Sequence, residues 1–308
     1  MTGAAKRSIV VTGASGFVGR HVVAEALSRG HEVHAVMRAE TRWPDRDRLT
    51  SWHVSDLRRG WPQGLSADSV VHLAGLAAVG PSFAHPQRYI TENSAMMTTL
   101  GEAALAGAIR RRAVVVSTGG VYAGGGLEPL SEGSPLAATS PYVVSKLLVE
   151  QQADYYRRRG LDAVVVRPFN HIGPGQARGF LVPDLFAALG ALPAGEPLAT
   201  GNLTTRRDYT DVRDIARAYI DLVDADELDH TTYNVCTGSS LSGREILELL
   251  CQAMGRDVPE LHDDPTRWRP TDLGEIVGSS ERLREELGWS PRWDAATAIS
   301  DFVAAAPR

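Results

Sequence analysis

Through the first half of the chain, apolar β-branched runs of strand length alternate with stretches whose apolar residues recur at helical spacing. The strand-like runs fall at 9–12, 32–36, 69–73, 113–117 and 163–167, and an amphipathic stretch at 18–28 separates the first two. Runs such as "AVVV" suit strands buried on both faces, and the helix-length stretches between them are the crossovers that parallel strands need. The pattern predicts an α/β fold with a doubly wound parallel sheet of the Rossmann type. After "RPFNHIGPG" the texture changes to charged helices and short segments broken by Pro and Gly, which predicts a smaller C-terminal region. The expected division is a dinucleotide-binding domain over 1–168 and a substrate region over 169–308. The stretch 209–236, with a helix over 212–223, is expected to pack back on the sheet.

Composition narrows the function without naming it. The 308 residues are 43% hydrophobic and 22% charged, and the formal net charge is −5, with no basic stripe carrying interleaved aromatics. Nothing therefore points to nucleic acid or to a membrane surface. Cys236 and Cys251 are too few for a disulfide framework. With no secretory h-region after "MTGAAKRS", the expected compartment is the cytoplasm. The runs Arg110-Arg111-Arg112 and Arg157-Arg158-Arg159 read as solvated helix ends. His72 and His171 have no second ligand at a suitable spacing, so no metal is expected, and both read as polar neighbours of a crevice.

"VVTGASGFVGRHVVAEAL" places Gly13, Gly16 and Gly19 between a strand and a helix. The first permits a tight turn, the second lets backbone approach a pyrophosphate, and the third allows close packing, with the helix N-terminus facing the phosphates. An acidic residue at the end of the second strand would select NAD(H) through the ribose hydroxyl. Here Met37-Arg38 stands instead, and a guanidinium suits a 2′-phosphate, so NADP(H) is expected, with NAD(H) as the alternative. Asp56 and Leu57, after the third strand, are candidates for the adenine.

"SPYVVSK" opens a helix with Ser140 and Pro141 and then sets Tyr142 and Lys146 four apart on one face. A phenol titrates near about 10, so it needs an adjacent ammonium to exchange protons at neutral pH. A surface Tyr/Lys pair is the plainer reading of that spacing. Its position after the fifth strand, downstream of a matched glycine loop, favours the chemical one.

Taken with "TGASGFVG", "VVHLAG", "STGGVY", "RPFNHIGPGQ", "RRDYTDVRD" and "DPTRWRPTD", the chain resembles the extended short-chain dehydrogenase/reductases that act on nucleotide sugars. The last motifs look most like the GDP-4-keto-6-deoxy-mannose reductases and their dehydratase relatives. The resemblance implies that Thr118 bonds the substrate oxygen, Tyr142 donates the proton, and Lys146 lowers the phenol pKa while holding the nicotinamide ribose; Ser117 is the competing hydroxyl. It also places Ser15, Phe17, Val18, Leu73, Ala74 and Gly75 along the cofactor, Asn170, Arg207 and Arg269 at the substrate diphosphate, and a homodimer through helices near 86–106 and 142–159.

Members that dehydrate carry Asp-Glu directly after the hydroxyl residue. This chain has Gly119-Gly120, which can neither take nor give a proton. Reduction at C4 of a nucleotide-bound 4-keto-6-deoxyhexose is the expectation. The alternatives are a nucleotide-sugar 4-epimerase and, from another class, a non-catalytic NADP-binding sensor or scaffold.

Overall fold

In the computed structural model, which describes residues 6–41, 43, 45–124, 128–193, 195–264 and 274–306, the strands follow the apolar runs. In chain order they are β1 (Ser8–Thr12), β2 (Glu32–Met37), β3 (Ser51–Val54), β4 (Ser69–His72), β5 (Arg112–Val116), β6 (Asp162–Pro168) and β7 (Asn170–Ile172). Then come β8 (Leu198–Thr200), β9 (Arg206–Asp211), β10 (Thr232–Val235), β11 (Ser240–Ser242), β12 (Leu261–Asp263) and β13 (Glu275–Ile276). The helices are α1 (Phe17–Ser28), α2 (Val79–Ala84), α3 (Pro86–Leu105), α4 (Pro141–Arg158) and α5 (Leu181–Ala191). They continue as α6 (Val212–Asp224), α7 (Gly243–Ala253), α8 (Glu281–Leu287) and α9 (Ala295–Ala305).

The large sheet runs β10-β6-β5-β4-β1-β2-β3 with every neighbour parallel. Its side chains alternate between two covered faces, as the period of a strand requires. Ile9, Val11, Val114 and Val164 meet Val22, Val23, Ile215 and Tyr219 of α1 and α6. Val10, Val70, Val115 and Val165 meet Met97, Leu100, Val149 and Ala153 of α3 and α4. Each such aliphatic side chain contributes about 1.5–3 kcal/mol relative to exposure.

In the arginine run 110–112, Arg110 is exposed as expected, but Arg111 and Arg112 depart from the sequence expectation. Arg112 lies on β5 and is 3% exposed, and its Nη1 donates to the carbonyls of Leu222 and Ala225 at 2.9 and 2.6 Å. Arg111 Nη1 donates to Val223 O at 2.6 Å, and Arg7 Nη2 to Asp224 O at 2.8 Å. These cations satisfy the carbonyls left unpaired at the C-terminus of α6 and meet the negative end of its dipole. They are docking residues for the returning helix, which packs on α1 and the sheet.

The C-terminal part has its own core. β9 pairs with β7 and β13 in parallel and with β11 antiparallel, while β8 pairs with β12. Ile172, Val182, Leu189, Ile246, Leu250, Ile299 and Phe302 bring α5, α7 and α9 together. Helix α7 starts on a capping box: Ser242 Oγ accepts from Glu245 N at 3.1 Å, and Ser242 N donates to Glu245 Oε2 at 2.7 Å. In the large sheet the strand order reverses between β1 and β4, and the crevice beyond their carboxyl ends is where such sheets take ligands.

Candidate active site

A cleft of about 1090 Å³ lies over that reversal, walled by the strand ends on one side and by α5 and β8 on the other. Gly13, Ser15, Gly16, Phe17, Val18 and Gly19 form its floor at the start of α1. Gly13 has φ 69°, and a Cβ there would stand 3.0 Å from the backbone of Leu73 and Ala74. A Cβ at Gly19 would lie 2.3 Å from Gly13 O, so the loop must lie flat on the first turn of the helix. Gly16 caps α1 with no side-chain hydrogen bond, leaving the helix N–H groups open toward the cleft. Thr12 ties this loop to the next one: its Oγ1 accepts from Ala74 N at 3.2 Å and pairs with His72 Nδ1 at 2.9 Å. Burial pushes His72 down to about 3, with the nearby Lys146 charge acting the same way, so its imidazole is neutral.

These features fit a dinucleotide: a cradle that any side chain would fill, opposite an uncapped helix N-terminus. Leu73, Ala74 and Gly75 line the cleft beside it. Arg38 lines the same wall, is exposed, and among the described residues has no ion-pair partner. Asp56 and Leu57 are also on the wall, but both carboxylate oxygens of Asp56 accept from Arg58 at 2.8 and 2.7 Å. Those bonds pull the Asp56 carboxyl down to about 2. Arg58 in turn reaches Glu92 at 2.9 Å, a pair the sequence reading did not single out.

Further in stand Thr118, Tyr142 and Lys146. Helix α4 opens as its residues direct, with Ser140 Oγ accepting from Val143 N at 3.2 Å and Pro141 in the first turn. Tyr142 and Lys146 are each 8% exposed and share the cleft-facing side of the helix. Lys146 Nζ donates to Val116 O at 2.8 Å, which fixes the ammonium beneath the end of β5. Burial brings Lys146 down to about 8, against an opposing pull from Glu150. Burial lifts Tyr142 to about 12, and the neighbouring Thr118 hydroxyl draws it back. Thr118 also caps the short turn Gly119–Val121, its Oγ1 accepting from Gly120 N at 3.1 Å. Ser117 is committed elsewhere: it is 2% exposed and donates to Glu150 Oε1 at 2.5 Å.

Gly119 faces Phe169, whose Cδ2 would lie 2.8 Å from a Cβ at that position. In the sequence Phe169 stands only within "RPFNHIGPG", and nothing in the spacing of the two residues announces their contact. Asn93 was equally unannounced. Its Oδ1 accepts from Leu76 N at 2.7 Å and its Nδ2 donates to Ser145 Oγ at 2.9 Å, which braces α4 against the Gly75 loop.

At the far end Asn170 begins β7 opposite Tyr209, and Arg207 lies on β9; both line the cleft. The carboxylate beside Arg207, Asp208, accepts from Thr237 N, Thr237 Oγ1 and Gly238 N at 2.9, 2.8 and 2.9 Å, and so holds the turn after β10. Arg269, with its neighbour Asp272, lies outside the described residues. His171 lines the cleft and stacks on Phe17 at 6.0 Å, with burial lowering its pKa. Among the described residues no group of His, Cys, Asp and Glu is arranged to hold a metal, and no helix is long and apolar enough to cross a membrane.

A glycine cradle at the switch point and a hydroxyl, phenol and ammonium in the same cleft define an oxidoreductase of the extended short-chain dehydrogenase/reductase type. The chain belongs to the NAD dependent epimerase/dehydratase family, whose model matches residues 9–236. GDP-6-deoxy-D-mannose reductase of Pseudomonas aeruginosa is 32% identical over 289 residues, 92% of this chain and 91% of the relative. UDP-glucose 4-epimerase of Streptomyces lividans is 31% identical over 313 residues, 95% and 94% of the two chains. Among solved structures, RMD from Pseudomonas aeruginosa complexed with NADPH superposes with TM-score 0.82 at 28% identity, covering 97% of this chain and 98% of that one. UDP-glucose 4-epimerase of Thermus thermophilus in complex with NAD gives the same TM-score, identity and coverage. Membership in a family of enzymes removes the sensor or scaffold reading.

Proposed function

We propose that the protein is an NADPH-dependent reductase of a nucleotide-bound 4-keto-6-deoxyhexose. The observation that supports this reading over a dehydratase is the Gly119–Phe169 contact. A dehydratase needs an acid directly after Thr118, and the ring leaves no room there even for a methyl group. Among the described residues the carboxylates that line the cleft are Asp56, Glu92 and Asp184; the first two are paired with Arg58, and Asp184 sits on α5 at the opposite wall.

The glycine cradle and α1 hold the cofactor pyrophosphate, Arg38 meets a 2′-phosphate, and Lys146 holds the nicotinamide ribose. The bound nicotinamide supplies a hydride. Thr118 positions the C4 oxygen of the sugar, and Tyr142 gives it a proton while Lys146 stabilises the phenolate left behind. Asn170, Arg207 and Arg269 receive the substrate diphosphate. In this reading 1–168 with 209–236 serves the cofactor, 169–308 serves the substrate, and α3 with α4 forms a homodimer contact through exposed apolar groups such as Val144 and Tyr155.

The relative from Streptomyces lividans supports a second reading, a nucleotide-sugar 4-epimerase. One experiment separates them. Incubation of the purified protein with NADPH and GDP-, dTDP-, UDP- and CDP-4-keto-6-deoxyhexoses is expected to oxidise one equivalent of NADPH per sugar reduced. Interconversion of the C4 epimers of an intact nucleotide hexose, supplied in place of the keto sugar and with no net cofactor oxidation, overturns the reductase. Deuterium entering C5 of an intact nucleotide hexose from solvent, with loss of its 6-hydroxyl, overturns it in favour of a dehydratase.

A further inference from the structure

Behind Thr118, Tyr142 and Lys146 lies a buried polar chain that the proposed reaction does not use. Its centre is Glu150, one helical turn beyond Lys146 on α4 and 8% exposed. Three donors converge on its carboxylate: Ser117 Oγ at 2.5 Å, Arg167 Nε at 3.0 Å and Arg167 Nη2 at 2.7 Å. Arg167, on β6 and 6% exposed, passes the chain on, its Nη1 donating to Tyr122 Oη at 3.1 Å. Tyr122 Oη then donates to Asn234 Oδ1 at 2.6 Å, and Asn234, on β10, is fully buried. The segment that carries Thr118 is thus gripped on both sides, at Ser117 and at Tyr122, by partners of one carboxylate–guanidinium pair.

We propose that Glu150 is a positioning residue of this active site: its buried carboxylate fixes the corner at 117–118 through Ser117 and places a negative charge one helical turn from Lys146. The inference rests on the assignment of Thr118, Tyr142 and Lys146 as the catalytic set. A stability role alone is a weak reason for such an arrangement, because an apolar replacement of a buried ion pair is often neutral or stabilising. Its placement supplies a reason. Ser117 is adjacent to the hydroxyl that must meet the substrate oxygen, and a small displacement at such a corner costs rate rather than binding.

The charged and titratable groups around Lys146 are few. Tyr142 and Glu150 lie one turn to either side of it on its own helix and His72 lies on β4; Tyr89 of α3 and Tyr219 of α6 are neighbours of Tyr142. His72 is neutral, so among these described groups Glu150 is the source of negative charge opposing the desolvation of the ammonium. Without that charge, and with Arg167 left uncompensated close by, Lys146 deprotonates at lower pH.

The test is the pH dependence of NADPH oxidation by the full-length protein with the keto sugar it reduces. Glu150→Gln is expected to lower kcat about tenfold or more, with the KM of the sugar little changed. It is also expected to move the alkaline limb of the kcat profile about one pH unit toward acid. Glu150→Asp restores the charge on an arm one methylene shorter, so the limb returns to its wild-type position while kcat stays low. A Glu150→Gln protein with a lower melting temperature and an unmoved limb overturns the proposal. If that variant does not fold, Glu150→Asp with wild-type kcat overturns it equally. Tyr142→Phe run alongside separates the two levels: full turnover in that variant removes the catalytic assignment itself, whereas loss of turnover there with unaltered Glu150 variants removes only the positioning role.

Discussion

Replacing Gly119 with alanine tests the contact on which the functional reading depends. The new Cβ would lie 2.8 Å from Phe169 Cδ2 and 3.0 Å from Cγ and Cε2, where carbon atoms at rest keep about 3.5–4.0 Å. The ring cannot retreat. Phe169 is 5% exposed and stacks on Tyr122 at 6.0 Å. Its far edge lies against Gly278, where a Cβ would come within 2.5 Å of Cζ. Forcing one methyl group into such packing costs about 1–3 kcal/mol. Gly120 is the internal control, because a Cβ there meets Thr118 Oγ1 at 3.4 Å and Val143 Cγ2 at 3.8 Å, ordinary contact distances. Gly120→Ala is therefore expected to fall within about 0.5 kcal/mol of the parent, as surface changes without strain do. The assay is urea unfolding of the three proteins side by side, with equal m-values as the check that the midpoints report stability. Gly119→Ala is also expected to lose turnover, since the strain falls on the turn that holds Thr118. Coincident unfolding midpoints for Gly119→Ala and Gly120→Ala would refute the reasoning and reopen the position to an acid.

Other expectations follow from the cleft. Arg38→Asp replaces the exposed cation of the β2 end with a charge that repels a 2′-phosphate, so kcat/KM for NADPH should fall far more than that for NADH; equal losses exclude the assignment. Tyr142→Phe should cut turnover by roughly 10²–10⁴-fold with substrate binding largely retained, as measured by kcat and by direct titration of the nucleotide sugar. Lys146, brought by burial to about 8, is protonated below that value and neutral above it. The kcat/KM for NADPH, which reports the free enzyme, should therefore decline as pH rises through about 8, and a profile flat into the ordinary lysine range near about 10.4 would contradict it.

The sequence by itself determined the parallel sheet, the glycine cradle and the Tyr142/Lys146 face, because each rests on short-range periodicity. Strands buried on both faces show as runs such as "AVVV", a strand–glycine–helix junction occupies one contiguous stretch, and a four-residue spacing fixes a helical face whatever surrounds it. Local signals of that kind survive translation into three dimensions. What the sequence left open depends on residues far apart in the chain. The arginines at 111 and 112 read as a solvated run until α6, more than a hundred residues later, brought its bare carbonyl end over them. Thr118 ranks above its neighbour Ser117 in the sequence only by its place in the motif "STGGVY", since the chemistry of two adjacent hydroxyls is the same. The tertiary structure turns Ser117 into the core against Glu150 and leaves Thr118 beside Tyr142. Gly119 likewise read as the absence of an acid; only the packing of Phe169 shows that a side chain has no room there. The physical reason is the same in each case: donors, acceptors and volumes are satisfied by whatever the fold brings within a few ångströms, and sequence spacing carries no record of that meeting.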